Sequence, residues 1–195
     1  MKREHIHKIF SNIPTIRTER LVLRKMSLDD TDDMYEYAKR SDVTLYLTWS
    51  PHAEKAYTFQ YLKYLQTRYR AGDFYDWAIC DKESGKMIGT CGFTRFDFPN
   101  DAAEIGYVIN PDYAGRGLAT EAVEAIIAYG FKMLSLNRIE CRFIPENVAS
   151  RRVMEKNGMI FEGIRRKGML IKGRYCDIGI CSILKEEYEK RSAEF

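Results

Sequence analysis

Histidine and proline are scarce in this chain of 195 residues, which has three histidines and five prolines, and its five cysteines form no C-x-x-C pair. The positions His5, His7 and His52 lack metal-ligand spacing, so we predict neither a zinc site nor a Cys-His nucleophile pair. The number of cysteines is odd, and four of the five lie in apolar, strand-like segments. We therefore expect reduced thiols in the core.

Long apolar runs are also missing. No segment is apolar enough over its length to span a bilayer, and the charged first eight residues lack the apolar centre of a signal peptide. These absences predict a cytoplasmic protein with no membrane partner. The net charge of +3 is too small to indicate a direct nucleic-acid role. Since no repeat or change of composition divides the chain, we expect one domain over residues 1–195.

The most informative segment present is residues 107–120, where a short strand runs through a glycine-containing turn into an amphipathic helix. Pro111 ends the strand because it has no N–H, while Gly115 and Gly117 allow a tight turn that exposes consecutive amides. Amides at a helix start favour phosphate, because they are unpaired and lie at the positive end of the helix dipole. The segment predicts an anion site, although a plain strand-to-helix turn has the same Gly-x-Gly pattern.

Two other phosphate-binding motifs fit this segment poorly. A P-loop needs Lys and then Ser or Thr directly after its second glycine, where this chain has Leu118 and Ala119. A dinucleotide-binding fold has its glycine motif after the first strand of a parallel βαβ unit. Here the motif follows three predicted antiparallel strands, at residues 74–80, 87–96 and 103–109.

Alternation and turn residues predict the element order β-α-α-β-β-β-α-β-α-β-β, a mixed sheet with helices on both faces. The other predicted strands are 20–24, 138–144, 159–164 and 175–184. The predicted helices are one capped by Ser27, one at about 53–71, one after Gly117, and one at about 147–156. The helix after Gly117 is expected to bury one face, which consists of Ala119, Ala122, Val123, Ile126 and Met133.

Four segments, in this order and spacing, resemble the GCN5-related N-acetyltransferase (GNAT) superfamily, and within it the ribosomal-protein N-terminal (alanine/serine) acetyltransferases. They read TERLVLR at 18–24, AEIGY at 103–107, YAGRGLATEA at 113–122 and NxxSxxVMEKNG at 147–158. The resemblance covers roughly residues 15–185. It implies an α/β (α+β) GNAT fold, whose mixed, mostly antiparallel sheet of about seven strands is splayed between residues 103–109 and 138–144.

The resemblance also implies that acetyl-CoA binds in this splay as a co-substrate, with no metal. Its pantetheine amides would pair with backbone groups of Val108 and Ile109, and Asn147 would both cap its helix and contact the pantetheine arm. The guanidinium of Arg116 is a candidate phosphate ligand, with solvent as its alternative. The diphosphate is expected on the loop and first turn, at Gly115, Arg116, Gly117, Leu118, Ala119 and Thr120.

An α-amine with a pKa of about 7.7 to 8.0 needs only modest help to lose its proton, so one carboxylate suffices as a general base. Glu104 is the candidate, because it lies on the strand that leads to the glycine turn and shares the pattern Glu-x-Gly-Tyr with the resembling family. Its alternative role is a solvated strand carboxylate or an ion-pair partner. Many members of the superfamily carry a tyrosine where this chain has Met154, which cannot donate a proton. Attention therefore shifts to Ser150, as a hydrogen-bond donor to the sulfur or to the cofactor backbone; the thiolate can also leave unprotonated.

By resemblance, the acceptor side includes Tyr46 and Trp49, and the expected acceptor is a primary amine, first a ribosomal-protein N-terminus. A small-molecule amine, such as a polyamine, an amino acid or an aminoglycoside, is the alternative. Because Met154 removes the usual proton donor, a non-catalytic sensor of acyl-CoA is a third hypothesis. The protein is expected to be a monomer or a homodimer.

Overall fold

The computed structural model describes residues 3–193 as seven α-helices and one eight-stranded sheet. The terminal residues 1–2 and 194–195 of the predicted domain lie outside the described residues. The helices are α1 (Arg3–Ser11), α2 (Thr31–Ala38), α3 (Ser41–Thr44), α4 (Lys55–Ala71), α5 (Leu118–Met133), α6 (Val148–Lys156) and α7 (Lys185–Ala193). The strands are β1 (Ile16–Arg17), β2 (Leu21–Arg24), β3 (Tyr75–Asp81), β4 (Met87–Asp97), β5 (Ala102–Ile109), β6 (Arg138–Phe143), β7 (Ile160–Ile171) and β8 (Arg174–Leu184).

The strands lie in the order β1-β2-β3-β4-β5-β6-β8-β7, and β5 with β6 is the parallel pair among the antiparallel neighbours. Parallel pairing joins Ala102 to Arg138 and ends where Ile105 faces Cys141. Beyond that point residues 106–109 pair with β4 on one edge only. The predicted splay between these two strands is therefore present, and it opens at the end of β5 that leads into the glycine turn.

Helices cover both faces of the sheet. On one face α5 packs against β4 and β5, with the Tyr129 ring 5.6 Å from the Trp77 ring. On the other face α2 packs against β4, and α4 packs against α2. This second face carries the side chains of Asp76 and Glu104. Within residues 3–193 no helix has the length and apolar character needed to cross a membrane.

Several local predictions are confirmed. Ser27 accepts a hydrogen bond from the Asp29 amide in a capping box that leads into α2, and Gly72 ends α4 with φ of 70°. Asn147 caps α6 by accepting from the Ser150 amide at 3.1 Å. These residues supply the hydrogen-bonding groups or the positive φ that helix ends need.

Other elements differ from the prediction. The prediction lacked β1, α1, α3 and α7, and β7 continues to Ile171 rather than ending at residue 164. The helix α1 is held by tertiary packing, since Ile6 and Phe10 are buried and the Phe10 ring lies 5.3 Å from Trp77. The expected burial of Met133 is wrong. It is 61% exposed, and the buried face of α5 includes Ile127 and Phe131 instead.

Candidate active site

The glycine turn places the start of α5 beside the splay. Gly115 and Gly117 have φ of +77° and +78°, a region that disfavours any side chain, and Gly117 is the N-cap of α5. Asn110 steadies the preceding turn, because its side chain accepts from the Asp112 amide at 3.1 Å. The first amides of a helix have no partner within the helix. The turn thus presents a set of free backbone donors.

Two residues near the start of the chain brace this turn. The Arg20 guanidinium donates to the Arg116 carbonyl oxygen at 2.8 Å and pairs with the Glu121 carboxylate at 2.7 Å. Thr18 donates to the same carboxylate at 2.6 Å. Burial alone would raise the pKa of Glu121, but the hydrogen bonds from Thr18 and Arg20 hold it below its ordinary value. The negative charge in the first turn of α5 is therefore balanced, and it does not oppose an anion there.

A groove of about 500 Å³ runs from this turn along α6, and we call it the loop groove. Most of the sequence-predicted cofactor residues line it, namely Val108, Ile109, Gly115, Gly117, Leu118, Ala119, Thr120, Asn147 and Ser150. Arg116 does not. Its guanidinium donates to the Asp112 carbonyl oxygen at 3.0 Å and lies 5.2 Å from the centre of the Tyr113 ring. A phosphate contact by the Arg116 side chain would need a different rotamer.

A second space, of about 450 Å³, lies over the sheet face beneath α2 and α4, and we call it the sheet cavity. Glu104, Tyr46 and Trp49 line it, so the structure brings the predicted base and the predicted acceptor residues together. The loop groove and the sheet cavity share part of their lining: Tyr46, Leu47, Tyr107, Val108, Asn147 and Ser150. The two spaces therefore meet at the splay.

The Glu104 carboxylate is largely buried, with 16% of its side chain exposed, and has arginine neighbours. The Arg142 Nε lies 3.2 Å from Glu104 Oε2 but is not aligned for a hydrogen bond, and Arg95 lies 3.9 Å away. Burial raises the pKa of Glu104, while the Arg142 charge opposes that shift and Glu140 adds to it. Glu104 is thus both an ion-pair partner and a carboxylate whose proton affinity is raised toward that of a base.

Ser150 and Tyr107 form the hydroxyl pair at the junction of the two spaces. The Tyr107 hydroxyl lies 2.9 Å from Ser150 Oγ and donates to the Ser150 carbonyl oxygen at 2.8 Å. Burial raises the pKa of Tyr107 well above its ordinary value, so its hydroxyl keeps its proton. Met154, by contrast, is fully buried in the hydrophobic core. The α6 side chain at the junction is therefore Ser150.

Comparison with known proteins agrees with this geometry. The family model described as "Acetyltransferase (GNAT) domain" matches residues 20–160. The chain belongs to the GNAT acetyltransferase family. It is 38% identical to an uncharacterized N-acetyltransferase, p20, of Bacillus licheniformis, over 89% of this chain and 98% of that protein. A solved GNAT-family acetyltransferase of Bacillus anthracis has a TM-score of 0.79 and 31% identity, covering 89% of this chain and 99% of that one.

A further relative is the [ribosomal protein uS5]-alanine N-acetyltransferase of Escherichia coli (strain K12). It is 26% identical over 86% of this chain and 90% of its own length. The predictions of a GNAT fold and of an acyltransferase acting on nitrogen are confirmed. Proteins of the GNAT family use acetyl-CoA.

Sequence reasoning missed several residues of this GNAT site. Arg20 braces the loop, Arg142 neighbours Glu104, Tyr107 contacts Ser150, and Asp76 lines the sheet cavity. Tyr107 and Arg20 stand inside the quoted motifs, but their partners are remote in sequence. For Asp76 a signal was available, because a carboxylate stands directly before the apolar strand residues 77–80.

Proposed function

We propose that this protein transfers the acetyl group of acetyl-CoA to a primary amine by direct attack, and that the first acceptor is the N-terminal α-amine of a ribosomal protein. The observation that carries the proposal is the junction of the two spaces. The loop groove offers free amides at the start of α5, and the sheet cavity contains Glu104. Ser150 and Tyr107 stand where the two meet.

The loop groove fits the diphosphate and pantetheine of acetyl-CoA. Its amides supply donors for phosphate oxygens, and the unpaired edge of residues 106–109 supplies backbone groups for the pantetheine amides. Asn147 uses its side-chain oxygen to cap α6, which leaves its amide nitrogen for the cofactor. The thioester supplies an activated acetyl group at the junction.

Transfer then requires a neutral amine and a leaving thiolate. The amine nitrogen attacks the thioester carbonyl carbon, the carbon–sulfur bond breaks, and the amine proton passes to Glu104, directly or through water. Since Tyr107 donates to the Ser150 carbonyl oxygen, the Ser150 proton rests on the Tyr107 oxygen; it turns to donate a hydrogen bond to the departing sulfur. The thiolate has a pKa near 8.5 by analogy with cysteine, so it needs no strong acid to leave.

Support for the acceptor comes from the Escherichia coli relative, which is named for the alanine of ribosomal protein uS5. The Bacillus licheniformis relative has higher identity but names no acceptor. A small amine is the second candidate, because the sheet cavity contains a buried carboxylate, Asp76, besides the proposed base. Such a group favours a compact cationic acceptor.

The proposal is tested by mixing the protein with acetyl-CoA and synthetic peptides that carry the N-termini of ribosomal proteins, with N-terminally blocked peptides as the matched control. Thiol release above the hydrolysis background and a mass gain of one acetyl group are followed together. We expect both with the free peptides and neither with the blocked ones. Thiol release with small amines alone would contradict the ribosomal acceptor, and none with any amine would contradict acetyl transfer.

A further inference from the structure

A carboxylate with one unsatisfied oxygen lies in the sheet cavity, away from the loop groove. Asp76 lines the cavity from β3, and its Oδ1 is fully buried with no hydrogen-bond partner among residues 3–193. No lysine or arginine of that range forms an ion pair with it. Burying an ionised carboxylate with an unsatisfied oxygen costs several kcal/mol, so such a group is neutralised either by a proton or by a cationic ligand.

The Asp76 carboxylate packs against the sheet at a glycine. Asp76 pairs with Gly92 on β4, which in turn pairs with Gly106 on β5. A methyl group on Gly92 would lie 2.8 Å from Asp76 Oδ1 and closer still to the backbone of β3. Oδ1 therefore lies over a glycine, while hydrogen bonds from the Thr90 side chain and the Trp77 amide only partly offset the rise that burial causes in the pKa of Asp76.

No basic side chain that lines the cavity is paired with Asp76 in the described residues. Arg142 is the one lysine or arginine among the described residues that line the cavity, and it pairs with Glu104 and Glu140 at 3.2 Å each. His52 also lines the cavity, but burial lowers its pKa, and its Nδ1 lies 2.8 Å from Thr58 Oγ1. The imidazole is therefore neutral at physiological pH. When Asp76 and Glu104 are both ionised, the cavity lining has two negative charges and one positive charge.

Aromatic rings complete the surroundings of Asp76. The hydroxyl groups of Tyr37 and Tyr61 lie within electrostatic range of it, since its charge contributes to the raised pKa of both. Both residues line the cavity, together with Trp49 and Tyr57. Aromatic faces attract ammonium groups, and an ammonium group bound beside Asp76 would favour the ionised carboxylate, which adds an opposite charge.

We propose that Asp76 and these aromatic side chains form a binding site for an alkylammonium group of the acceptor that does not react. The inference rests on the proposed acetyl transfer and narrows its acceptor to amines that carry a second positive charge. The source of that charge is either a small diamine or a basic side chain next to a peptide N-terminus. Both present the same chemistry, an ammonium separated from the reacting amine by a short alkyl chain.

The spacing across the sheet suits such an acceptor. Asp76 and Glu104 lie two strands apart, and Glu104 is offset by two residues from Gly106, the residue level with Asp76. With strands about 4.8 Å apart and a rise of about 3.4 Å per residue, their Cα atoms are separated by about 12 Å. The two side chains extend into the space between, which leaves room for a short alkyl chain with an amine at each end.

The test compares matched acceptors that differ by one charge: 1,4-diaminobutane against butylamine, and Ala-Lys amide against Ala-norleucine amide. In the wild type we expect kcat/KM to favour the charged member of at least one pair by about tenfold or more. Asp76→Asn should reduce that preference to less than about threefold. Asp81→Asn, on the same strand but outside the cavity lining, should leave it unchanged.

The pair that responds identifies the source of the ammonium group. Equal kcat/KM values within both pairs for the wild type would overturn the inference, and so would a preference that survives in Asp76→Asn. The wild-type comparison needs no variant, so it decides even where Asp76→Asn fails to fold.

Failure of the proposed function is separated by a binding measurement. With coenzyme A present, which blocks transfer, 1,4-diaminobutane and butylamine are titrated calorimetrically into the wild type and Asp76→Asn. Where no amine gives thiol release, tighter binding of the diamine that Asp76→Asn abolishes would still support the cation site. Absence of that difference would overturn it.

Discussion

The loop groove and the sheet cavity adjoin, yet the chain builds them by different means. The loop groove is lined mainly by one continuous stretch, residues 107–120, with α6 and residues 42–47 as its other walls. The sheet cavity is formed by side chains from distant parts of the chain, including Tyr37, Trp49, Asp76, Glu104 and Arg142. In the proposed function, backbone geometry binds the cofactor, whereas side chains select the acceptor.

This difference predicts two kinds of sensitivity. The loop groove depends on the conformations of Gly115 and Gly117 and on the brace from Arg20, so it should fail through backbone strain. The sheet cavity depends on charge, because Glu104 and Asp76 are both buried carboxylates with raised pKa values.

The largest effect on the reaction rate is expected for Glu104→Gln, which removes the proposed base from the sheet cavity. We expect kcat to fall about 100-fold, the lower range for loss of a general base, with acetyl-CoA affinity unchanged. Because the pKa of Glu104 is raised by burial, wild-type kcat/KM should rise with pH as the carboxylate ionises. The variant should lack that rise and depend on high pH to deprotonate the amine. Steady-state kinetics across pH checks this.

Glu140→Gln is the matched control, because Glu140 pairs with the same Arg142 at the same 3.2 Å distance but does not line the cavity. Its kcat should stay within about threefold of the wild type. A similar loss in both variants would mean that Glu104 matters as an ion-pair partner and not as a base.

Asp76→Asn should change stability in a way that depends on pH. Burial raises the pKa of Asp76 to about 7, so the folded state binds the proton more tightly than the unfolded state. The contribution of Asp76 to the wild-type free energy of unfolding is therefore fully present below about pH 4 and is lost as pH rises through 7. We expect Asp76→Asn to gain up to about 4 kcal/mol at pH 8.5 and little at pH 4, since the rise in pKa from 3.8 to about 7 spans about three units of about 1.4 kcal/mol each.

Denaturant unfolding at the two pH values measures this gain. Asp81→Asn is the control of opposite sign, because a hydrogen bond from Ser84 lowers the pKa of Asp81. It should give no gain at pH 8.5. A gain for Asp76→Asn that is equal at both pH values would show that its charge is not the cause.

Gly117→Val tests the loop groove. A branched side chain at φ of +78° strains the backbone by about 1 to 2 kcal/mol, so the turn should shift and the acetyl-CoA Kd should rise about tenfold. The control is Gly85→Val, in the β3–β4 turn, which has a similar φ of +72° and open space around it. Calorimetric titration should show weakened binding for Gly117→Val alone. Equal Kd values in both variants would contradict a backbone site.

The smallest effect is expected at the junction. Ser150→Ala should lower kcat about fivefold, the loss of one modest hydrogen bond of about 1 kcal/mol, and Tyr107→Phe should lower it similarly. Since the two hydroxyls act as one unit, the double variant should be little worse than either single variant. Additive losses in kcat would show that Tyr107 acts independently of Ser150.

Much of the loop groove could be predicted from the sequence because its determinants are local. Pro111, Gly115, Gly117 and the capping residue Asn147 each impose a backbone conformation that their own chemistry dictates. The helix α5 follows from its apolar spacing, although Met133 is exposed and Phe131 and Leu134 are the buried residues at that end of the helix. The splay was expected by resemblance and is seen where pairing ends at Ile105 and Cys141.

The sheet cavity could not be predicted in the same way, because its contacts join residues far apart in the chain. Arg142 reaches Glu104, Tyr107 reaches Ser150, and Asp76 lies beside Tyr37 and Tyr61 only after the sheet has formed. Period-two alternation places Glu104 on one face of its strand but does not say which groups face it. The short helix α1 could not be predicted for the same reason, since its residue Phe10 is held by packing against Trp77, which is distant in sequence.

We propose that the loop groove binds acetyl-CoA and that the sheet cavity performs the proton transfer. Single-turnover transfer at increasing acetyl-CoA concentration tests this division of roles, with Gly117→Val and Glu104→Gln compared under the same conditions. The division predicts that a high acetyl-CoA concentration restores the rate of Gly117→Val and leaves Glu104→Gln slow at every concentration. Rescue of Glu104→Gln by acetyl-CoA, or a Gly117→Val rate that stays low at saturation, would contradict it.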